Sequence, residues 1–198
     1  WVRFQRGLPR KIGGYRAVSP TLPELSRGVT QFATNQQVIC HSGSATQLQR
    51  FTLDGNYNSS ILSDRTPATL AEDDDNLWMF DYMYDSSSTD NSILAHVAPN
   101  LGCVCNDEGG QIFIGAAGGT GALTEIALPA GANATGGIVV LHPYLFYYGT
   151  AGVVGWSVAG DPTELDDTHN GSGIARVWGR KIIKGVPLRA GGGQAPAG

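Results

Sequence analysis

Short runs of strand-forming residues, each stopped by a turn rich in glycine, recur along this whole chain and point to an all-β fold. The runs cover residues 2–6, 29–32, 37–41, 47–53, 77–84, 92–97, 102–105, 111–115, 137–141, 144–148, 153–158, 174–178 and 181–186. They are rich in Val, Ile, Phe and Tyr, and apolar residues tend to alternate, the period of a strand with one buried face. Asp54-Gly55, Glu108-Gly109-Gly110, Gly149-Thr150-Ala151-Gly152 and Gly179-Arg180 lie between them and supply residues that tolerate positive φ. Helical periodicity is nearly absent; residues 22–26 and 67–72 are each long enough for only one short turn. Many close strands joined by hairpin turns leave a sandwich, a barrel or a propeller.

A weak internal repeat narrows that choice. Val38-Ile39-Cys40, Ile93-Leu94-Ala95, Tyr144-Leu145-Phe146 and Lys181-Ile182-Ile183 read as equivalent inner strands, with starts separated by 55, 51 and 37 residues. Propeller blades repeat at roughly 40–50 residues. The expected fold is therefore antiparallel strands in propeller-like blades, incomplete within this chain, with a β-sandwich as the alternative. A blade cannot bury both faces of its sheet alone, so about four units would leave the last one uncovered.

Composition restricts function more than fold. Only 15% of the 198 residues are charged and the formal net charge is −4. Tight binding along a nucleic-acid backbone comes from Lys and Arg neutralising phosphates, and this chain has no such excess. Glycine, at 28 residues, follows no Gly-X-Y period, so frequent turns account for it. The three cysteines, Cys40, Cys103 and Cys105, are an odd count without a regular framework and read as reduced thiols. No run of about 18 apolar residues is present to span a bilayer as a helix, and the first residues lack a signal-peptide layout. No stable membrane binding is expected.

The chemically suggestive residues do not form a recognisable catalytic pattern. His41, His96, His142 and His169 are scattered, without the spacing of a metal pair. Ser42, Ser157 and Ser172 lack the Gly-x-Ser-x-Gly context of a nucleophile elbow. Gly118-Gly119-Thr120-Gly121 and Gly191-Gly192-Gly193 lack the Lys-Ser/Thr of a phosphate loop. Glu72-Asp73-Asp74-Asp75 lacks the alternating spacing of a calcium loop, and Asp161, Asp166 and Asp167 lack it too; both groups read as solvated loops. The segment from Ser157 to Thr163 is similar in part to the Asp-box of sialidases, but position 159 is Ala and no Trp follows. It reads as a strand ending in a turn. Tyr144, Phe146 and Tyr148 alternate onto one face, where core packing is the default reading and a sugar platform the sharper one. No catalytic, cofactor-binding or metal-binding residue is singled out, no cofactor is expected, and the chain reads as a non-enzyme.

Several segments, taken in order, resemble a group of tailed-phage virion proteins. They are Trp1-Val2-Arg3-Phe4-Gln5 with Pro9-Arg10-Lys11-Ile12-Gly13-Gly14-Tyr15-Arg16, then Ser26-Arg27-Gly28, then Asp64-Arg65-Thr66-Pro67. Gly155-Trp156-Ser157, Gly160-Asp161-Pro162-Thr163, Lys181-Ile182-Ile183-Lys184-Gly185 and Arg189-Ala190-Gly191-Gly192 follow. The group is the tail nozzle or hub proteins, which are β-propeller-rich. The resemblance implies a structural subunit of a bacteriophage tail that forms part of the DNA-ejection channel. It implies a homo-oligomeric ring, a hexamer in this group, with portal, adaptor and other tail proteins as partners and double-stranded DNA as a transient occupant. It places the chain in the virion tail after synthesis in the host bacterial cytoplasm, and it carries over no catalytic residue.

The alternative reading is a carbohydrate- or receptor-binding propeller adhesin of the virion, and a glycosidase-like propeller is the least favoured. Residues 1–190 are expected to form one partial propeller-like domain. Residues 191–198 read as a flexible glycine-rich end leading to further sequence, and both ends read as cut.

Overall fold

The apolar runs pair into antiparallel ladders in a computed structural model, which describes residues 2–5, 8–11, 17, 19–99, 110–165, 171–174 and 179–187. A two-stranded hairpin, β1 (Val2–Gln5) with β2 (Leu8–Lys11), comes first. Three four-stranded sheets follow. The first holds β3 (Gly28–Ala33), β4 (Val38–Gly43), β5 (Leu48–Leu53) and β6 (Ser63–Asp64). The second holds β7 (Asn76–Asp85), β8 (Asp90–Pro99), β9 (Gln111–Ala116) and β10 (Thr124–Glu125). The third holds β11 (Gly137–Leu141), β12 (Tyr144–Tyr148), β13 (Val153–Trp156) and β14 (Gly171–Ile174).

Within each sheet the spatial order is the sequence order, so every sheet is an up-and-down meander of the kind that makes a propeller blade. The all-β expectation holds, and among the described residues helical structure is limited to a single 3-10 turn at Thr150–Gly152. Val38, Ile93 and Tyr144 all fall on the second strand of their meanders, as the repeat required.

The sheets stack face to face, and β8 shows why. Ser92 to Ala98 are all buried, so both faces of this strand are covered. Ile93, Ala95 and Val97 join Leu48, Trp78, Phe113 and Leu123 in a core between the first and second sheets. Leu94, on the opposite face, joins Met83, Ile112, Ile138, Leu145 and Tyr147 in a core between the second and third. Period-2 alternation along one strand thus feeds two cores. Three layers are present, one more than a two-sheet sandwich needs.

Two glycines make the first joint close. A Cβ on Gly43 would lie 2.3 Å from Cγ of Trp78, and one on Gly28 would lie 2.6 Å from the Trp78 carbonyl oxygen. The indole is laid over bare backbone, stacked on Phe80 at 5.8 Å, and its Nε1–H donates to the Ser44 carbonyl at 2.6 Å.

One strand expectation fails. Residues 181–187 form no ladder. Ile182 N–H donates to the Gly149 carbonyl and Gly152 N–H to the Arg180 carbonyl, which lays this segment over the outer face of the third sheet. Its alternating apolar residues cover a face instead of extending an edge, so Lys181-Ile182-Ile183 is not a fourth inner strand. The runs at 102–105 and 175–178 lie outside the described residues.

Candidate functional site

The most polar buried place in the described residues is the joint between the first two sheets. Cross-strand pairing sets Thr30, His41, Arg50 and Ser63 in one row on the inner face of the first sheet. Arg65 follows β6 with its N–H on the Leu48 carbonyl, so its side chain leaves the same face one row away. The facing row of the second sheet is Tyr82, Ile93 and Gly115. Gly115 matters because it has no side chain. A Cβ there would lie 2.7 Å from Nη2 of Arg65, so the guanidinium occupies the space that any other residue would fill.

Burial is nearly complete. His41 is 0% exposed, Arg65 1% and Arg50 7%. Arg65 Nε–H donates to the Gly121 carbonyl at 2.8 Å, and Arg50 Nη2 donates to the Gly118 carbonyl at 3.2 Å. Both arginines therefore grip the glycine-rich turn that connects β9 to β10. Arg65 Nη1 lies 2.9 Å from His41 Nε2. Arginine has only donors, so Nε2 accepts and the imidazole is neutral, with its proton on Nδ1. Among the described residues, Nδ1 of His41 and Nε of Arg50 are buried and find no hydrogen-bond partner.

The electrostatics follow from that arrangement. Burial, then the charges of Arg65 and Arg50, push the His41 imidazole down to about 3. Burial, then the neighbouring Arg50, brings Arg65 down to about 10; burial alone lowers Arg50 and is the main cause that raises the Tyr82 phenol. Among the described residues no carboxylate acts on either guanidinium. The acceptors that hold these cations are neutral carbonyls and a neutral ring.

The second joint carries one comparable group. His96 is fully buried, its Nε2 bonded to the Ala134 carbonyl and its Nδ1 unpartnered. Burial drives its imidazole down to about 4 against the opposing effect of that carbonyl. Asp81 ties the same two sheets by accepting from the Val140 N–H at 2.8 Å.

The outer face of the third sheet is different in kind. Tyr144, Phe146 and Trp156 form a chain of ring contacts at 6.2 and 6.4 Å. Beside them a groove of about 250 Å³ is lined by Val139, Leu141, Phe146, Val154, Val186 and Pro187 among others, almost entirely by carbon.

The residues weighed in the sequence fall as follows. Cys40 is a free, buried thiol whose pKa burial raises; Cys103, Cys105, His169, Asp166 and Asp167 lie outside the described residues. His142 is exposed in the turn after β11, where the His142–Pro143 peptide is cis. Ser157 is fully buried and structural, accepting from the Leu145 N–H at 3.0 Å and donating to the Val158 carbonyl at 2.9 Å. The segment similar to an Asp-box is a turn closed by Asp161, which accepts from Thr163 N–H and Oγ1. Residues 72–75 are exposed, and Asp73 caps the Asp75 N–H. Tyr144, Phe146 and Tyr148 share the outer face as alternation required, whereas Tyr147 turns inward and is 1% exposed. Among the described residues no three His, Cys, Asp or Glu side chains converge as metal ligands would.

Sequence reasoning names Arg65 only within the landmark Asp64-Arg65-Thr66-Pro67 and Arg50 not at all, and it makes neither a candidate site residue. The available signal was period: Leu48, Arg50 and Thr52 share the face of β5 that looks inward, so a cation stood at a core position. No known protein family, curated protein or solved structure gives a significant match to this chain.

Proposed function

We propose that this chain is a structural module of a bacteriophage tail, a stack of blades forming part of the wall of the DNA-ejection channel in a nozzle or hub ring. The single observation that carries the structural part is the stacking of three consecutive meanders, with both faces of the middle sheet used as joints. The buried polar chemistry also serves those joints. Arg50 and Arg65 hold a turn of the neighbouring sheet, and Asp81 holds an edge of the third.

The attribution to a tail rests on the ordered motifs, and the described ones occupy structural positions. Gly28 lies under Trp78, Arg65 is the centre of the first joint, and Gly155 lies against the Tyr147 ring, where a Cβ would come within 2.1 Å. An adhesin fits the geometry less well, because Tyr147 is buried and the outer groove has few polar atoms to meet sugar hydroxyls.

Cryo-electron microscopy of particles carrying the tagged protein tests the reading. Density for the stack in a ring on the tail axis is the expected result. A position on the head, away from the axis, or absence from the particle would overturn it.

A further inference from the structure

We propose that the joint between the first and second sheets is an acid-released latch: a proton taken up by His41 frees the glycine-rich turn from Ala117 to Gly121, while the second and third sheets stay stacked. The direction of one hydrogen bond carries this. Arg65 Nη1 can only donate, so His41 Nε2 accepts at 2.9 Å and the ring's own proton is on Nδ1. The lone pair that holds Arg65 is therefore the one that an added proton must take. Protonation turns this acceptor into a donor facing a donor, and it sets a third cation beside Arg65 and Arg50. All three side chains are buried, where a charge without a partner is costly.

The described groups that face His41 carry no negative charge to offset this. They are Thr30 on β3, Arg50 on β5, Arg65 after β6 and Tyr82 on β7, with Ile93 and Gly115 opposite on β8 and β9. Tyr82 is a phenol that burial keeps neutral. Cys40, Asp64 and Asp81, their neighbours along the chain, alternate onto the opposite faces, and Asp81 is tied to the Val140 N–H. Relief comes from the turn. The two arginines that the new charge repels are the ones that hold it, through the Gly118 and Gly121 carbonyls, and Leu123 N–H donates to the Arg65 carbonyl at 3.1 Å. Gly118, Thr120 and Gly121 are exposed, so moving the turn lets water reach the guanidinium groups. The second joint answers acid differently. A carbonyl only accepts, so His96 Nε2 donates to Ala134, an added proton goes to Nδ1, and that bond is kept.

The test is hydrogen exchange of the Leu123 amide in the whole chain, followed by NMR at pH 7.5 and 5 and divided by the intrinsic rate at each pH. An opening that exposes His41 alone returns its imidazole from about 3 to 6.5. The opening constant then rises about 30-fold between the two pH values. Unfolding of the whole chain exposes His96 as well, and its rise would be roughly a thousandfold. His41→Gln, whose amide does not titrate, should hold the opening constant level, and His96→Gln should leave the 30-fold rise in place. Because His41→Gln is a core change, a second measurement uses the unmutated protein: the imidazole nitrogen chemical shifts at pH 7.5 should show the Nδ1–H tautomer of His41. No rise, a rise near a thousandfold, a rise that survives His41→Gln, or an Nε2–H tautomer would each overturn the proposal.

Discussion

Lowering the pH from 8 to 5 should cost this protein about 4 kcal/mol of stability through two histidines that must stay neutral for the chain to stay folded. His41 sits at the first joint and His96 at the second, both 0% exposed. Their imidazoles fall from an ordinary 6.5 to about 3 and about 4. The sign follows from which state takes up the proton first. Below pH 6.5 the unfolded chain protonates both rings while the folded protein protonates neither, so acid favours unfolding. Each histidine contributes a slope of about 1.4 kcal/mol per pH unit between its unfolded and folded values, and at pH 5 each has cost about 2 kcal/mol. Above pH 6.5 both effects vanish and the curve flattens.

Two carboxyls also sit below their ordinary range. In Glu24 hydrogen bonds from Ser44 and Thr46 dominate; in Asp85 burial is outweighed by bonds from Ser87 and Ser88. Their stability is present above their unfolded values of 4.5 and 3.8, and is lost as pH falls through the folded ones. They act below the window chosen here. The assay is urea unfolding followed by tryptophan fluorescence at pH 8, 6.5 and 5, at one chloride concentration. His41→Gln and His96→Gln should each remove about half of the pH dependence, because an amide does not titrate. Equal stability at pH 8 and 5, or a slope unchanged in the double variant, would refute the reasoning.

Other parts of the stack give separate tests. Gly43→Ala places a methyl group inside the Trp78 indole and should cost at least about 1–3 kcal/mol of overpacking, read as a lower urea midpoint at unchanged m. Arg65→Met keeps much of the volume but removes a charge beside His41; the His41 imidazole should titrate at least about one unit higher, measured by NMR. Its stability should fall less than that of Arg65→Ala, which adds a cavity to the lost bonds. Ser157→Ala leaves the Leu145 N–H without its partner and should cost about 1–3 kcal/mol in the same unfolding assay. Cys40, a buried thiol raised by its burial, should react with iodoacetamide far more slowly in the folded protein than in urea, as read by peptide mapping.

Strand existence was legible because it is a local property. The 144–148 run alternates apolar and aromatic residues between two turns, and β12 is Tyr144–Tyr148 in the folded chain. The repeat that equated Val38, Ile93 and Tyr144 was legible for the same reason, since the second strand of each meander is well covered and carries an apolar run. Residues 181–186 show where local signals stop. An alternating apolar segment can extend a sheet edge or lie across a sheet face, and its own residues do not distinguish the two. Contact with Val139 and Tyr148 decides it, through Gly185 and Ile182.

The sequence by itself thus determined the all-β class, the turn positions and the two faces of most strands, because propensity, positive-φ turns and period 2 act over a few residues. Only the tertiary structure decided which faces meet. Gly115 and Arg65 are 50 residues apart, and neither residue type announces the other; their fit exists because stacking places a bare backbone opposite a guanidinium. His41, Arg50 and Arg65 became one charged cluster in the same way, through register within the first sheet and burial beneath the second.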